Sequence, residues 1–136
     1  GTVPAKPVLL TFDDGWKSAI ERAHPLLTQY SLPATFYIIS DRIDETHAEY
    51  MNAADLHALI SGGHELGVHT RSHKHLPELS DEENWHEITQ GLADLRALGV
   101  EPRTFAYSYG VESVCGEASK RGGILCRPFH RTGYKR

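Results

Sequence analysis

Pro7-Val8-Leu9-Leu10-Thr11-Phe12-Asp13-Asp14-Gly15 is a short apolar run that ends on two acids and a glycine. A run of that kind, cut off by Asp-Asp-Gly, reads as a buried strand over Pro7–Thr11 that stops at a turn. Outward from it the pattern alternates. Residues 17–30 are helical, with Ile20, Ala23, Leu26 and Leu27 on one side, and Pro25 must kink or restart that helix because it has no N–H to donate. Ala34–Ile39 is rich in β-branched and aromatic residues and predicts a second buried strand. Asn52 can cap a helix through Ile60, with Leu56, Leu59 and Ile60 apolar and Gly62-Gly63 as its stop. His64–His69 is extended again, and Ser80-Asp81-Glu82-Glu83 is a capping box opening a longer helix with Trp85, Ile88, Leu92 and Leu95 on its apolar face. Thr104–Tyr107, after Gly99 and Pro102, makes a fourth strand. Strands and helices in alternation, joined by short loops, predict an α/β fold of parallel βαβ units.

The 136 residues fit one domain. A composition 40% apolar and 24% charged excludes disorder, collagen-like repeats and coiled coil. No apolar run approaches the ~20 residues of a membrane span. A net charge of −4 supplies no basic field, so nucleic acid is not an expected partner. The opening Gly1-Thr2-Val3-Pro4 has neither a charged n-region nor an apolar h-region, so an export signal is expected to be absent from this chain. Cys115 and Cys126 match no four-ligand zinc spacing and are either free thiols or one disulfide. After Gly110 the balance changes: residues 111–136 hold six Lys/Arg against two Asp/Glu, without apolar periodicity. Residues 1–110 are read as the core and 111–136 as a basic segment of the same domain.

Nine histidines are unusually many, and His64, His69, His73 and His75 crowd into twelve residues. In parallel α/β folds, ligands gather at the carboxyl ends of strands. Asp13 and Asp14 end the first strand, and His69 and His73 end the third. Asp-Asp-Gly alone is ordinary turn chemistry, and His-x-x-x-His alone fits a polar loop. Together, one carboxylate and two imidazoles suit a divalent, zinc-like ion while leaving positions open for water and substrate. The second carboxylate remains free to act as a base.

Thr11-Phe12-Asp13-Asp14-Gly15 followed by Gly63-His64-Glu65-Leu66-Gly67-Val68-His69-Thr70-Arg71-Ser72-His73 resembles the first two motifs of the polysaccharide deacetylase family, the NodB-homology group of carbohydrate esterase family four. Leu32-Pro33-Ala34-Thr35-Phe36-Tyr37 is similar to that family's second strand. Phe105-Ala106-Tyr107-Ser108-Tyr109-Gly110 resembles its third motif as found in biofilm poly-N-acetylglucosamine deacetylases. The resemblance covers residues 7–110 and implies a distorted (β/α) barrel. By it Asp14, His69 and His73 bind a divalent metal, zinc with cobalt or nickel as alternatives, and Asp13 is the general base. Thr70 braces the loop, and the Tyr109 backbone N–H serves the oxyanion. The implied reaction is N-deacetylation of peptidoglycan, a chitin-like polymer or poly-N-acetylglucosamine, outside the cytoplasm.

This chain departs from the family at three places. Ala106 stands where many members carry Arg, and Ser108 where they carry Pro, so the usual tether on the base is missing or supplied elsewhere. The late motif, ending in a general-acid histidine, is not recognisable after Gly110. His130 is the one histidine there, read either as that acid or as a solvated residue. Four strands are fewer than the family's barrel uses, so the barrel is expected to be incomplete at the C-terminus. The competing readings are a non-catalytic glycan- or metal-binding module and an O-acetyl xylan esterase. Among other residues, His64 is read as structural and His75 as exposed, while His24, His47, His57 and His86 are not expected ligands. Trp16 either floors a sugar subsite or packs in the core, and Tyr107 and Tyr109 are expected to face substrate.

Overall fold

The computed structural model describes residues 5–44 and 46–110, together with the backbone of 125–126. Among the described residues, five strands lie in one sheet in chain order: β1 (Thr11–Phe12), β2 (Thr35–Ile38), β3 (Glu65–Val68), β4 (Thr104–Phe105) and β5 (Leu125–Cys126). Every neighbouring pair is parallel. Parallel strands that follow one another in both space and sequence are the arrangement of an open (β/α) barrel. Register sets Phe12 beside Phe36, Ile38 beside Val68 and Val68 beside Phe105. The loops that leave β1, β2, β3 and β4 therefore emerge together at one end.

The described α-helices covering the sheet are α1 (His24–Gln29), α2 (Ala53–Ser61) and α3 (Asp81–Ala97). The expected caps are present. The Asn52 side chain accepts from the Asp55 N–H at 3.0 Å, and Ser80 Oγ accepts from the Glu83 N–H at 3.3 Å, each with the reciprocal carboxylate bond. The core gathers Phe36, Ile38, Leu56, Leu59, Val68 and Leu95 between sheet and helices. β2, flanked by β1 and β3, is buried along its length, as its unbroken Thr-Phe-Tyr-Ile run requires.

Four expectations are corrected. The strand expected over Pro7–Thr11 pairs only at Thr11–Phe12, and Val8 and Leu9 are 86% and 59% exposed. Among the described residues β1 has only β2 beside it, so residues 7–10 lack there the second neighbour that would bury them. The helix after Gly15 begins as a π-helical turn over Ala19–Ala23 and becomes α only at His24. That wide turn leaves Pro25 in the first turn of α1, where a missing N–H costs nothing, and it rotates Leu26 to solvent. Trp85 is 39% exposed, and the inner face of α3 carries Asn84, Glu87 and Gly91 beside Ile88, Leu92 and Leu95. Finally, the segment after Gly110 supplies β5, which its lack of periodicity did not announce.

His64 is structural, as expected. Its Nδ1 accepts the Ala34 backbone N–H at 3.2 Å, so the neutral ring carries its proton on Nε2 and donates it to His24 Nδ1 at 3.0 Å. Burial, and then the neighbouring His24, hold the His64 imidazole below its usual value.

Candidate metal centre

Asp14 lies just beyond β1, and His69 just beyond β3. Asp14 Oδ1 is 3.3 Å from His69 Nε2 and 3.2 Å from His73 Nε2, and one ligand atom from each residue lies within 4.8 Å of the others. Among the described residues this is the one group of His, Cys, Asp or Glu so arranged.

Two members are oriented from behind by hydrogen bonds. His69, 3% exposed, donates from Nδ1 to the Ala106 carbonyl at 2.9 Å, which leaves the Nε2 lone pair facing Asp14. Because the acceptor is a backbone oxygen, alanine at 106 supplies it as well as any residue. Trp16 Nε1 donates to Asp14 Oδ2 at 3.1 Å and turns Oδ1 inward. Asp14 Oδ1 is shut off from solvent and accepts no hydrogen bond. A carboxylate oxygen and an imidazole lone pair that face one another without a donor fit a cation between them. Burial, and then the neighbouring His69, lower the His73 pKa, outweighing the opposite pull of Asp14 and Asp13. A neutral imidazole is the form that ligates.

The backbone is strained to achieve this. Asp14, Thr70, His73 and Tyr109 have φ of 73°, 64°, 60° and 62°, and Ser31 is the one other described non-glycine residue with positive φ. Left-handed backbone costs roughly 1–2 kcal/mol per L-residue, and such residues persist where their surroundings over-determine them. Thr70 Oγ1 accepts the His73 N–H at 2.9 Å and lies 3.1 Å from Ser108 Oγ, so Ser108 joins the loops after β3 and β4. Glu87 on α3, 3% exposed, accepts from the Arg71 N–H at 3.1 Å, the Ser72 N–H at 2.8 Å and Ser72 Oγ at 2.6 Å. Hydrogen bonds to a charged acceptor contribute about 1.5–3 kcal/mol each, enough to offset the strain.

A cleft of about 360 Å³ opens beside the cluster, lined by Asp14, Trp16, Ile39, Arg42, Tyr50, Ser72, His73 and Tyr109. Trp16 is not core: it is 41% exposed and stacks on Tyr50 with ring centroids 4.4 Å apart. The backbones of Lys17 and Glu49 bond at 2.8 Å, and the Arg42 guanidinium lies 5.7 Å from the Tyr50 ring centre. Tyr109 is 64% exposed and packs against His73 at 4.7 Å. Tyr107 corrects the expectation that it faces substrate, since it is 8% exposed and packs on Phe105. Asp13 is exposed next to Asp14 and adds its charge to the field at His73. His75 pairs with Glu78 at 2.9 Å and stands edge-on to Tyr109 with ring centroids 5.5 Å apart, and it is not among the three grouped residues. The readings of His130, Cys115 and the Cys126 side chain fall outside the described residues.

Tyr50, Arg42 and Glu87 escaped the sequence reading. None lies in a spaced motif, and only the heavy polar content of α3's inner face hinted at Glu87.

A family model described as polysaccharide deacetylase matches residues 1–119. Chitin deacetylase 2 of Cryptococcus neoformans var. grubii is 31% identical over 102 residues, spanning 74% of this chain and 21% of that protein. A peptidoglycan-N-acetylglucosamine deacetylase of Bacillus cereus is 31% identical over 101 residues, 74% of this chain and 45% of that one. The chain thus spans less than half the length of these relatives. The structure of IcaB from Ammonifex degensii superposes with a TM-score of 0.79 at 25% identity, covering 91% of this chain and 60% of that one. A family 4 carbohydrate esterase from Streptomyces lividans shares the fold, with a TM-score of 0.76 at 21% identity over 90% of this chain and 62% of its own.

Proposed function

The chain belongs to the polysaccharide deacetylase family, and from that premise we propose that it is a metal-dependent hydrolase removing N-acetyl groups from an N-acetylglucosamine-containing polysaccharide. The observation that carries the reading is the convergence of Asp14 Oδ1, His69 Nε2 and His73 Nε2, with Oδ1 buried and unbonded, at the mouth of a cleft walled by stacked aromatics. Asp14, His69 and His73 hold the ion. A divalent cation there, zinc by its donor set with cobalt or nickel as alternatives, supplies Lewis acidity that acidifies a water and polarises the acetyl carbonyl.

Asp13, exposed beside Asp14, takes the proton of the attacking water. The Tyr109 peptide, turned by its left-handed φ, presents its N–H to the oxygen that gains charge, a contribution of roughly 3–4 kcal/mol in comparable sites. Trp16 and Tyr50 offer a flat wall to a pyranose ring. The acetyl C–N bond breaks, hydroxide passing to the acetyl group to give acetate and a proton passing to the leaving amine. His130 is carried as the donor of that proton. Residues 1–110 and 111–136 act as one domain in this reading, and the relatives named for chitin and peptidoglycan support a polymer met outside the cytoplasm.

The test is acetate release from N-acetylglucosamine oligomers with added zinc or cobalt, beside a chelator control and Asp13→Asn. Release that needs both the metal and Asp13, with metal still bound in Asp13→Asn, is expected. Release indifferent to chelator, or retained in Asp13→Asn, refutes the assignment. Release from acetylated xylan alone turns the reading to an O-acetyl esterase.

A further inference from the structure

We propose that Glu87 is the positioning residue of the metal centre, holding the turn between His69 and His73 in the conformation that aims both imidazoles at Asp14. The inference rests on the metal reading of Asp14, His69 and His73. Arg71 and Ser72 lie between two residues with left-handed backbone, Thr70 and His73. Their N–H groups point out of the sheet ladder, toward α3, and the Glu87 carboxylate receives both, with the Ser72 hydroxyl on its second oxygen. No atom of Glu87 is among the ligand atoms, so its action passes through the loop.

The same face of α3 meets the loop at two further turns. At Gly91, an added Cβ would lie 3.1 Å from the carbonyl carbon and oxygen of Thr70, so the loop backbone rests against the helix itself. At Asp94, Oδ2 accepts from Ser40 Oγ at 2.8 Å and stands 3.6 Å from Arg71 Nε. Helix α3 is thus a template for the loop, and Glu87 is its grip. The Glu87 carboxylate accepts from all three, whereas a glutamine of the same shape meets the two N–H groups with its oxygen and the Ser72 hydroxyl with its amide, and so removes the charge behind the grip.

Zinc alone is titrated into metal-free protein against a chromophoric chelator, for wild type, Glu87→Gln and His73→Ala, with far-UV circular dichroism of each. Outer partners of metal ligands typically change affinity about 10–100-fold, and that loosening is expected for Glu87→Gln with a wild-type dichroism spectrum. The visible spectrum of the cobalt-loaded variant is also expected to shift, since the ligands are re-aimed. A merely structural carboxylate would lower the melting temperature and leave zinc affinity and the cobalt spectrum as in wild type, and that result overturns the proposal. Should Glu87→Gln fail to fold, Ser72→Ala removes only the hydroxyl bond. Weakened zinc binding in it supports the proposal, and wild-type affinity overturns it. Absence of zinc binding in the wild type is a separate outcome that overturns the metal reading itself.

Discussion

Gly91→Ala sets two opposed effects against each other at the contact between α3 and the loop. Gly91 sits inside a 17-residue helix, where alanine is ordinarily favoured by about 1 kcal/mol. The new Cβ, however, would stand 3.1 Å from Thr70 C, Thr70 O and Val68 Cγ1, against roughly 3.5–4.0 Å for an unstrained carbon contact. Thr70 cannot retreat freely: its φ is 64°, its hydroxyl holds the His73 N–H, and its carbonyl accepts from Ser40. Overpacking of this kind costs about 1–3 kcal/mol, so the net expectation is a loss of about 1 kcal/mol. At about 2–8 °C per kcal/mol, the range for domains of up to 250 residues, that loss is resolvable by melting. Urea denaturation of the metal-free protein measures the stability change, and zinc titration of the same sample measures the displacement of His69 and His73. A variant more stable than wild type, with undiminished zinc affinity, would show that the loop yields to the helix and refute the template argument.

The His64–His24 pair makes stability depend on pH. The folded His64 pKa lies below its unfolded value, so the unfolded chain binds more protons between the two. Its contribution is complete above about pH 6.5 and is lost as pH falls through the folded value. His64→Phe strands the Ala34 N–H, costing about 1–3 kcal/mol, and the stability gap from wild type should narrow as pH drops from 7 to 5. A constant gap across urea titrations would contradict the assignment of a neutral His64. At Trp16, the phenylalanine and alanine variants separate two roles. Trp16→Phe keeps the stack on Tyr50 but removes the bond to Asp14 Oδ2, so zinc affinity should fall about 10–100-fold with KM little changed. Trp16→Ala should also raise KM roughly 2–10-fold, the equivalent of an aromatic contact. Equal kinetics for the two variants would remove the indole from the sugar wall.

Local signals were legible where the chemistry is local. Asn52 and Ser80 each meet their capping partner within one helical turn, so their boundaries could be read from neighbouring letters. Exposure was harder to read. Leu26 and Trp85 fit an apolar stripe by spacing, but a π-helical turn and a polar inner face on α3 rotated them outward. Asp14, His69 and His73, which the fold brings together, were legible as a candidate set because the residue types and spacing that a metal would require are restricted at once.

The amino-acid sequence by itself determined the alternating elements, their caps and the donor set, since each depends on residues within a turn or on side-chain type. Tertiary structure alone decided that Asp14 Oδ1 stands between the imidazoles, that Tyr50 backs Trp16, and that Glu87 grips the turn at Arg71 and Ser72. Those contacts join segments far apart in the chain. Two of the Glu87 partners, and the Ala106 partner of His69, are backbone groups, which every residue carries alike and which leave no letter to read.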